Sequence, residues 1–467
     1  MEEERKRLVE GEWNSMISTN QQISRADFPS NFLFGVATAA YQVEGAANQG
    51  GRGPCIWDAF SHKEGKIKDG KTGDISVDQY HRYKEDVDLI AKMGFSAYRF
   101  SIILVTYLSR WARTQVNKEG IMYYNNLINY LLEKGIEPCV TLYHWDLPLH
   151  LDESIGGWLS DSIVNYFAIY AETCFETLEI ESERFSAEPY LAAHHQLLAH
   201  AHAVSIYRTK FKAVQGGEIG LVVDCEWAEP LTDKQEDINA AERRLEFQLG
   251  WYLDPIFFGQ YPKSMQERVG ELLPVFSGKD KDLLKNSLDF VGLNHYTSRF
   301  VSHKTNEKLN HYFRAQEMLL TAEWENGAIG EKAASSWLYV VPWGLRKVLN
   351  YTSQKYNHPP IYITENGMDD EDNDETPLHE MLDDKLRVTY YKSYLTAVSL
   401  AIKDGADVRG YFAWSLVDNF EWPQGYTKRF GLIYVDYKNG LTRHLKSSAY
   451  WFMRFFKGED AKNGKED

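Results

Sequence analysis

The chain alternates unbroken apolar runs with stretches of helical periodicity. Unbroken apolar runs are expected for β-strands that are covered on both faces. Seven such runs lie at 32–44, 97–105, 137–146, 218–227, 288–297, 359–366 and 408–419. The helical patterns lie at 76–94, 120–135, 158–178, 188–213, 342–357, 379–405 and 444–457. This alternation predicts an α/β fold in which parallel strands are joined by helical crossovers.

Polar residues fall at the C-terminal ends of these predicted strands. They are Gln42, Arg99, His144, Asn294, Glu365 and Asn419. A (β/α)8 TIM barrel carries its chemistry at this end of its strands. We therefore expect these side chains to meet at one mouth of a barrel.

The strand count is one short of a regular barrel. The helical patterns 158–178 and 188–213 follow each other with only the link LEIESERFSAEP, at 178–189, between them. A regular (β/α)8 barrel needs another strand there. The link alternates loosely between apolar and charged residues, which favours a half-exposed edge segment over a buried barrel strand. The sequence thus predicts a TIM barrel with strand four deleted or irregular.

Charge and aromatic content narrow the ligand class. The net charge of −16 argues against nucleic acid and anionic membrane surfaces as partners. Aromatic residues make up 14% of the chain, with 13 Trp and 29 Tyr. Flat rings suit a ligand with flat apolar faces, such as a sugar, although a core role for many of them stays open.

Cysteine spacing and the N-terminal sequence bear on the compartment. Four widely spaced cysteines, Cys55, Cys139, Cys174 and Cys225, favour free thiols over a disulfide framework. The first residues, MEEERKRLVE, contain no apolar signal core, and no run is long enough to span a membrane. We therefore expect a cytoplasmic protein.

Several long motifs, in order along the chain, resemble glycoside hydrolase family 1, specifically plant β-glucosidases without a secretion signal. They are FPSNFLFGVATAAYQVEG, YHRYKEDVDLIAKMGFSAYRFSI, LYHWDLPLHL, VGLNHYTS, PIYITENG and YFAWSLVDNFEWPQGYTKRFGLIYVD. The resemblance implies a (β/α)8 barrel. We expect an N-terminal extension at 1–27, one glycosidase barrel domain at 28–458 and a polar C-terminal tail at 459–467.

The resemblance also implies roles for individual residues. Glu365 matches the catalytic nucleophile, Arg99 the arginine that keeps it ionised, and Tyr296 the tyrosine that hydrogen-bonds it. Asn294 lies beside Tyr296 in the same motif. Residues that match glucose-hydroxyl ligands are Gln42, His144 and Glu421, those that match pocket walls are Trp145, Trp414, Trp422 and Phe430, and Trp337 matches the aglycone platform.

These roles make chemical sense. A retaining glycosidase needs a nucleophilic carboxylate and a second carboxyl group about 5–5.5 Å away, which acts first as acid and then as base. Indole rings cover the C–H face of a pyranose, while amide, imidazole and carboxylate groups bind its hydroxyls. A charged Glu421 would repel a phosphate, which argues against 6-phosphoglycosides. No cofactor or metal is implied.

Two segments depart from the family pattern. The family's acid/base glutamate belongs to an Asn-Glu-Pro strand that has no counterpart here, so the acid/base residue is absent. Ala187-Glu188-Pro189 resembles a substitute, but Glu188 aligns with a helix entry and fits the helix dipole better than catalysis. The second segment, ILVTYLSRWARTQV at 103–116, has unrelated composition. Both departures have sharp edges, which suggests altered splicing or an imperfect gene sequence.

Structural alternatives remain open for the site residues. Glu365 can be a plain strand-end carboxylate, Arg99 a structural ion pair, and His144-Trp145 barrel packing. Core roles compete for Trp337, Trp422 and Phe430. For the row His194, His195, His200 and His202 a structural role is preferred over a metal site, because no i, i+4 pair exists. For the acidic run at 369–375, a solvated loop is preferred over a calcium site.

The sequence supports two hypotheses about function. The first is a retaining β-glucosidase that hydrolyses small β-D-glucosides or oligosaccharides through a glycosyl-enzyme on Glu365, with competence impaired by the missing acid/base. The alternative is a catalytically inactive glucoside-binding protein or an unstable truncated family member.

Overall fold

A computed structural model describes residues 23–103, 108–110, 115–178, 189–305, 311–324, 327–373 and 375–459. The extension predicted at 1–27 is described only from residue 23, and the tail predicted at 459–467 only at residue 459. The divergent segment 103–116 contributes two short strands, Leu108–Arg110 and Gln115–Val116, and its remaining residues after 103 lie outside the described part.

All seven predicted strands are present and form one parallel sheet. In chain order they are β1 Leu33–Ala37, β2 Ala97–Ser101, β3 Glu137–Thr141, β4 Gly220–Asp224, β5 Phe290–Asn294, β6 Ile361–Asn366 and β7 Val408–Trp414. Their order in the sheet is β3-β2-β1-β7-β6-β5-β4. Every neighbouring pair is parallel, which confirms the predicted crossover architecture.

Several predicted strands are too long. The run 32–44 ends as a strand at Ala37 and continues as a short helix, Ala40–Val43. The run 137–146 ends as a strand at Thr141. Residues beyond these strand ends stay buried because they form loops over the barrel mouth, so apolar character does not mark where a strand stops.

Helices surround the sheet. The longer ones are Gln79–Met93, Lys118–Glu133, Ser162–Leu178, Pro189–Ile206, Gln235–Leu245, Trp251–Phe258, Pro342–Lys355, Lys385–Lys403 and Ser447–Lys457. Shorter ones are Ile56–Ser61, Leu149–Ile155, Lys212–Gln215, Lys263–Val269, Gly278–Leu284, His311–Gln316 and Leu378–Met381. All seven predicted helical patterns are present. The sequence analysis did not predict the helices between β4 and β5, among them the amphipathic Gln235–Leu245.

The loops contain smaller sheets, one with mixed strand pairing and the others antiparallel. One three-stranded sheet joins Trp227–Pro230, Ser298–His303 and Met318–Thr321. The two-stranded ladders pair Glu323–Trp324 with Gly327–Ala328, Glu331–Lys332 with Tyr339–Val340, Asp370–Glu371 with Lys428–Arg429, and Ile433–Asp436 with Thr442–Leu445. One hydrophobic cluster extends from Phe28 to Phe455 and includes side chains from all seven sheet strands.

The sheet has two ends, β3 and β4. Within the part of the chain that the structure describes, no hydrogen-bonded strand joins them. Helices Ser162–Leu178 and Pro189–Ile206, which lie between β3 and β4 in sequence, pack against each other. The intervening link, residues 179–188, lies outside the described residues, so the predicted edge segment does too. The gap in the sheet falls where the sequence predicts the missing strand.

The acidic run at 369–375 is partly solvated, because Glu371 and Glu375 are exposed. Within it, Asp370 pairs with Arg387 at 2.6 Å, and Asp372 pairs with Arg429 at 2.6 Å. The sequence does not predict these ion pairs, because the arginines come from distant parts of the chain. The pairs anchor the loop that follows β6.

Buried charges also anchor the loop after β7. Asp418 pairs with Arg429 at 2.7 Å and with Lys446 at 2.8 Å, and all three side chains are at most 3% exposed. Burial alone would raise the pKa of Asp418, but the two cations hold it below its usual range. A paired buried charge is costly to disrupt, so this network holds the loop in one arrangement.

The gap in the sheet generates a prediction about backbone protection. Amides of β3 and β4 should exchange about tenfold or more faster than those of the central strand β7, because unpaired sheet edges open locally. Hydrogen–deuterium exchange with mass spectrometry measures this, with β1 as an internal reference. Equal protection of β3, β4 and β7 would contradict an open sheet and indicate that another strand covers both edges.

Candidate active site

A cavity of about 810 Å³ opens at the C-terminal ends of the strands. Eleven of the twelve site residues predicted from the sequence line it: Arg99, His144, Trp145, Asn294, Tyr296, Trp337, Glu365, Trp414, Glu421, Trp422 and Phe430. Gln42 is fully buried and donates a hydrogen bond to Glu421, which lines the cavity. The fold therefore brings together residues that are more than 300 positions apart in sequence.

Glu365 lies in the cavity wall at the end of β6. Arg99 Nη1 donates a hydrogen bond to Glu365 Oε1 at 2.6 Å, and Tyr296 Oη donates to Oε2 at 2.5 Å. The Arg99 and Glu365 side chains are only 5% and 6% exposed. Both carboxylate oxygens are thus held by donors, and a charge-assisted bond of this kind is strong. The position of this pair in the cavity favours the nucleophile interpretation over a plain strand end.

Neighbouring groups hold the backbone around Glu365. The Asn366 side-chain amide donates to the His295 carbonyl at 2.5 Å and to Tyr390 Oη at 2.8 Å. Tyr411 Oη donates to Asn366 Oδ1 at 2.6 Å, and the His295 amide donates to the Glu365 carbonyl at 3.0 Å. These bonds tie the ends of β5, β6 and β7 together, so the carboxylate is held in a fixed place.

Gln42 and Glu421 form a polar wall. Gln42 Nε2 donates to Asn419 Oδ1 at 3.0 Å and to Glu421 Oε2 at 3.3 Å. Its Oε1 is buried and accepts no hydrogen bond from the described residues. An unpaired buried acceptor suits a ligand hydroxyl donor, since leaving it unpaired is costly.

Glu421 holds a proton more tightly than an ordinary carboxyl group. Burial raises its pKa to about 8, with further contributions from Asp369 and Glu365, while the bond from Gln42 opposes the shift. At neutral pH the free protein therefore carries a largely protonated Glu421. Its repulsion of a phosphate is weaker than the sequence argument assumes, so selectivity against 6-phosphoglycosides stays a prediction.

Aromatic side chains form the other walls. Trp145 and Trp422 have φ angles of 70° and 49°, and their ring centroids lie 4.9 Å apart. Such backbone strain is uncommon for bulky residues and clusters at functional sites. The His144 ring lies parallel to those of Trp414 and Trp422, with 6.0 Å between centroids in each case. Burial lowers the pKa of His144 to about 4, so its imidazole is neutral.

Trp337 lies at the cavity mouth. Its side chain is 44% exposed, which excludes a core role, and its ring is 5.8 Å from that of Tyr296 in an edge-on contact. Trp422 and Phe430 are buried and also line the cavity, so for them packing and wall roles coincide. The mouth therefore carries an exposed indole beside Tyr296, which bonds Glu365.

Sequence reasoning missed one side of the cavity. The residues are Val222, Asp224, Glu226, Phe247, Gln248, Trp251, Tyr252 and Tyr312. Asp224 could have been found, because it lies at the C-terminal end of β4, as the predicted residues do on their strands. Most of the others come from helices and loops that give no comparable signal. The described residues donate no hydrogen bond to the Asp224 carboxyl.

The environment of Asp224 favours its protonated form. The Asp224 side chain is exposed to the cavity. Partial desolvation by the cavity walls raises its pKa to about 7, the negative charges of Glu226 and Glu365 add to the shift, and Arg244 opposes it. The neighbouring Glu226 accepts a hydrogen bond from Arg244 Nη2 at 2.9 Å.

The predicted absence of an acid/base residue falls on the link 179–188, and both the link and Glu188 lie outside the described residues. Among the residues that the structure does describe, no three His, Cys, Asp or Glu side chains converge as a metal site would require. His195 bonds the Trp158 carbonyl at 2.9 Å, and His200 bonds the Ser287 carbonyl at 2.5 Å. His195 and His200 thus make structural hydrogen bonds to backbone carbonyls.

The four cysteines are free, and Cys139 alone is partly exposed. No helix in the described ranges has the length and apolar character needed to cross a bilayer.

Comparison with known proteins gives consistent matches. The glycosyl hydrolase family 1 sequence profile matches residues 24–181 and 180–461. Beta-glucosidase 42 of Arabidopsis thaliana is 60% identical over 473 aligned positions, which cover 95% of this chain and 96% of that protein. Beta-glucosidase 4 of Oryza sativa subsp. japonica is 56% identical, covering 95% and 97%.

Solved structures agree. The rice Os3BGlu6 β-glucosidase superposes with a TM-score of 0.90 at 46% identity, covering 93% of this chain and 99% of that one. A mutant of the same enzyme was solved in a covalent complex with Glc. A β-glucosidase from the fungus Humicola insolens, in complex with glucose, has a TM-score of 0.89 at 38% identity, covering 92% and 98%.

The raised pKa of Glu421 makes stability depend on pH. In the folded chain Glu421 keeps its proton up to about pH 8, whereas the unfolded chain releases it near 4.5. Its contribution to the free energy of unfolding is therefore present below pH 4.5 and is lost as pH rises toward 8. Relative to the wild type, Glu421→Gln should gain stability between pH 5 and pH 8, by about a few kcal/mol at most.

Denaturant unfolding of both proteins at pH 5 and pH 8 measures this gain. Glu380→Gln, at an exposed surface carboxylate, controls for loss of one negative charge. A stability difference between Glu421→Gln and the wild type that does not change with pH would contradict the buried, protonated Glu421.

Proposed function

Because the chain belongs to glycosyl hydrolase family 1, we propose that it acts as a retaining β-glucosidase with Glu365 as its nucleophile. β-Glucoside hydrolysis is the activity of the family's close members, and this chain is an O-glycosyl hydrolase by membership. The nucleophile assignment is supported by one observation: Arg99 and Tyr296 hold the buried carboxylate of Glu365 at the wall of the cavity.

The geometry suits nucleophilic attack. Arg99 provides a positive charge beside one oxygen of Glu365, and Tyr296 fixes the orientation of the second oxygen. The Glu365 oxygen then attacks the anomeric carbon of a bound glucoside, which gives a covalent glycosyl-enzyme that water hydrolyses. Bonds from Arg99 and Tyr296 also stabilise the carboxylate when it leaves again.

The cavity walls fit a small-molecule β-glucoside or oligosaccharide. Gln42, His144 and Glu421 would bind sugar hydroxyls, with Asn294 near the nucleophile. The neutral imidazole of His144 can donate or accept a hydrogen bond. Trp145, Trp414, Trp422 and Phe430 would cover the apolar faces of the sugar ring, and the exposed Trp337 would support the aglycone.

The same proposal includes impaired competence, because the Asn-Glu-Pro strand of the family is absent from the sequence. The two profile matches meet at residues 180–181. The alignment with Beta-glucosidase 42 has 473 positions, whereas 95% of 467 residues is about 444, so nearly 30 positions of that relative have no counterpart here. The open sheet between β3 and β4 fits the same loss. Losing general acid/base help costs about 10²–10⁴-fold in rate.

A second candidate function is favoured by that open sheet. A chain without the acid/base strand would keep the glucose pocket, and would bind glucosides without turning them over, or would be an unstable truncated member. Stability margins of about 5–15 kcal/mol are small compared with the packing of a whole barrel strand.

Covalent labelling tests the nucleophile. An activated 2-deoxy-2-fluoro-β-glucoside, such as the 2,4-dinitrophenyl glycoside, needs little acid help, so we expect it to add one fluoroglucosyl group to the protein. Intact-mass and peptide mass spectrometry should place the group on Glu365. The matched control Glu365→Gln should take up no label.

Two further results bear on competence. Rates with ordinary β-glucosides should fall steeply as the leaving group becomes more basic, because proton donation is weakened. A rate independent of the leaving group would contradict impaired acid catalysis. Glucose binding by calorimetry without labelling or turnover would favour the second candidate, and label on Glu365→Gln would exclude Glu365 as the nucleophile.

A further inference from the structure

Four carboxylate side chains line the cavity in the described part of the chain: Asp224, Glu226, Glu365 and Glu421. Glu365 is held by Arg99 and Tyr296, Glu226 by Arg244, and Glu421 by Gln42. The carboxyl of Asp224 is exposed to the cavity and accepts no hydrogen bond from a described residue. A carboxyl group that faces a ligand cavity without a partner is free to exchange a proton with a ligand.

Asp224 lies in one row with the proposed nucleophile. In the sheet register Asp224 is opposite Asn294 on β5, and Asn294 is opposite Glu365 on β6. Neighbouring strands are about 4.8 Å apart, so the Cα atoms of Asp224 and Glu365 are separated by about 10 Å. Both side chains enter the cavity between them.

The two carboxyl groups thus line one cavity from strand ends two positions apart in the sheet. Retaining glycosidases use a pair of carboxyl groups on one substrate cavity, about 5–5.5 Å apart. Glu226, the neighbouring carboxylate, differs from Asp224 because Arg244 donates two hydrogen bonds to its Oε1.

Resting on Glu365 as the nucleophile of the proposed function, we propose that Asp224 supplies the weakened acid and base catalysis of this chain, in place of the absent Asn-Glu-Pro glutamate. In the first step the Glu365 oxygen bonds to the anomeric carbon while the bond from that carbon to the aglycone oxygen breaks. The leaving oxygen takes the proton of the Asp224 carboxylic acid.

In the second step Asp224, now a carboxylate, takes a proton from water. The water oxygen bonds to the anomeric carbon as its bond to Glu365 breaks. The products are glucose and the aglycone alcohol, and both carboxyl groups return to their starting states. Each step moves one proton, so no other reactant is required.

The electrostatics of the row suit this exchange of roles. Desolvation, followed by the charges of Glu226 and Glu365, raises the pKa of Asp224 to about 7, which favours the protonated acid that the first step needs. Glycosylation removes the charge of Glu365, because the ester is neutral. The pKa of Asp224 then falls, which converts the acid into the base needed for the second step.

The charged groups that face Asp224 come from three parts of the fold. They are Glu226 on the following loop, Glu365 on β6, and Arg244 on the helix Gln235–Leu245. Glu226 and Arg244 pair with each other, so their effects partly cancel. The change that the reaction itself makes is the loss of charge on Glu365.

Kinetics of the variant Asp224→Asn test the assignment. With a poor leaving group, such as an alkyl β-glucoside, kcat/KM should fall by about 10²–10⁴-fold. With 2,4-dinitrophenyl β-glucoside, kcat/KM should change little, because that leaving group needs no proton. The basic limb of the wild-type pH profile for kcat/KM, near pH 7, should disappear.

Azide provides a second readout. In Asp224→Ala, azide should accelerate turnover of the dinitrophenyl glucoside and yield β-glucosyl azide, since azide attacks the glycosyl-enzyme without a base. Azide should accelerate the wild type little. Asp254→Asn is the control, because Asp254 also has a carboxyl with a raised pKa but does not line the cavity.

The outcomes separate the two proposals. If Glu365 is labelled but the kinetics of Asp224→Asn are unchanged, the Asp224 assignment is overturned and the nucleophile assignment stands. The same holds if Glu365 is labelled but the wild type already needs azide for turnover. A loss of activity in Glu188→Gln but not in Asp224→Asn would assign the acid elsewhere. A wild-type protein that takes no label and shows no turnover would overturn both proposals. Circular dichroism of each variant checks that it is folded.

Discussion

The site depends on one electrostatic constraint, the need to compensate the buried negative charge of Glu365. Arg99 supplies the counter-charge at 2.6 Å and Tyr296 supplies the second donor at 2.5 Å. These three residues come from β2, from the segment after β5 and from β6, so the pairing holds only when the sheet is in register. A buried carboxylate without these partners would cost several kcal/mol. Fold and chemistry are thus coupled through a single side chain.

The same charge organises the rest of the cavity. It contributes to the raised pKa values of Asp224 and Glu421, and it opposes the effect of burial on His144. Around Glu365 the chain therefore keeps two carboxyl groups that favour their protons and one neutral imidazole. That pattern suits a site that binds an uncharged, hydroxyl-rich ligand and gives one proton to it.

Much of the fold and many of the site residues were predictable from local sequence patterns, and the predictions that failed did so for physical reasons. The seven strands, and polar residues such as Arg99 and Glu365 at their ends, follow from burial on both faces of a sheet. The predicted strand that begins at residue 32 is too long, because loops over the barrel mouth are as apolar as strands. The ion pairs of Asp370 and Asp372 and the cavity wall at Trp251 depend on tertiary contacts that no local period encodes. Asp224 was overlooked although it obeys the strand-end rule.

The central claim is that Glu365 and a second carboxyl group hydrolyse β-glucosides by double displacement. The most direct test is the anomeric form of the first glucose released, followed by proton NMR during hydrolysis of an aryl β-glucoside before mutarotation. Double displacement predicts β-glucose as the initial product. Initial α-glucose would contradict the account, because it would mean that water attacks directly and that no glycosyl-enzyme forms on Glu365.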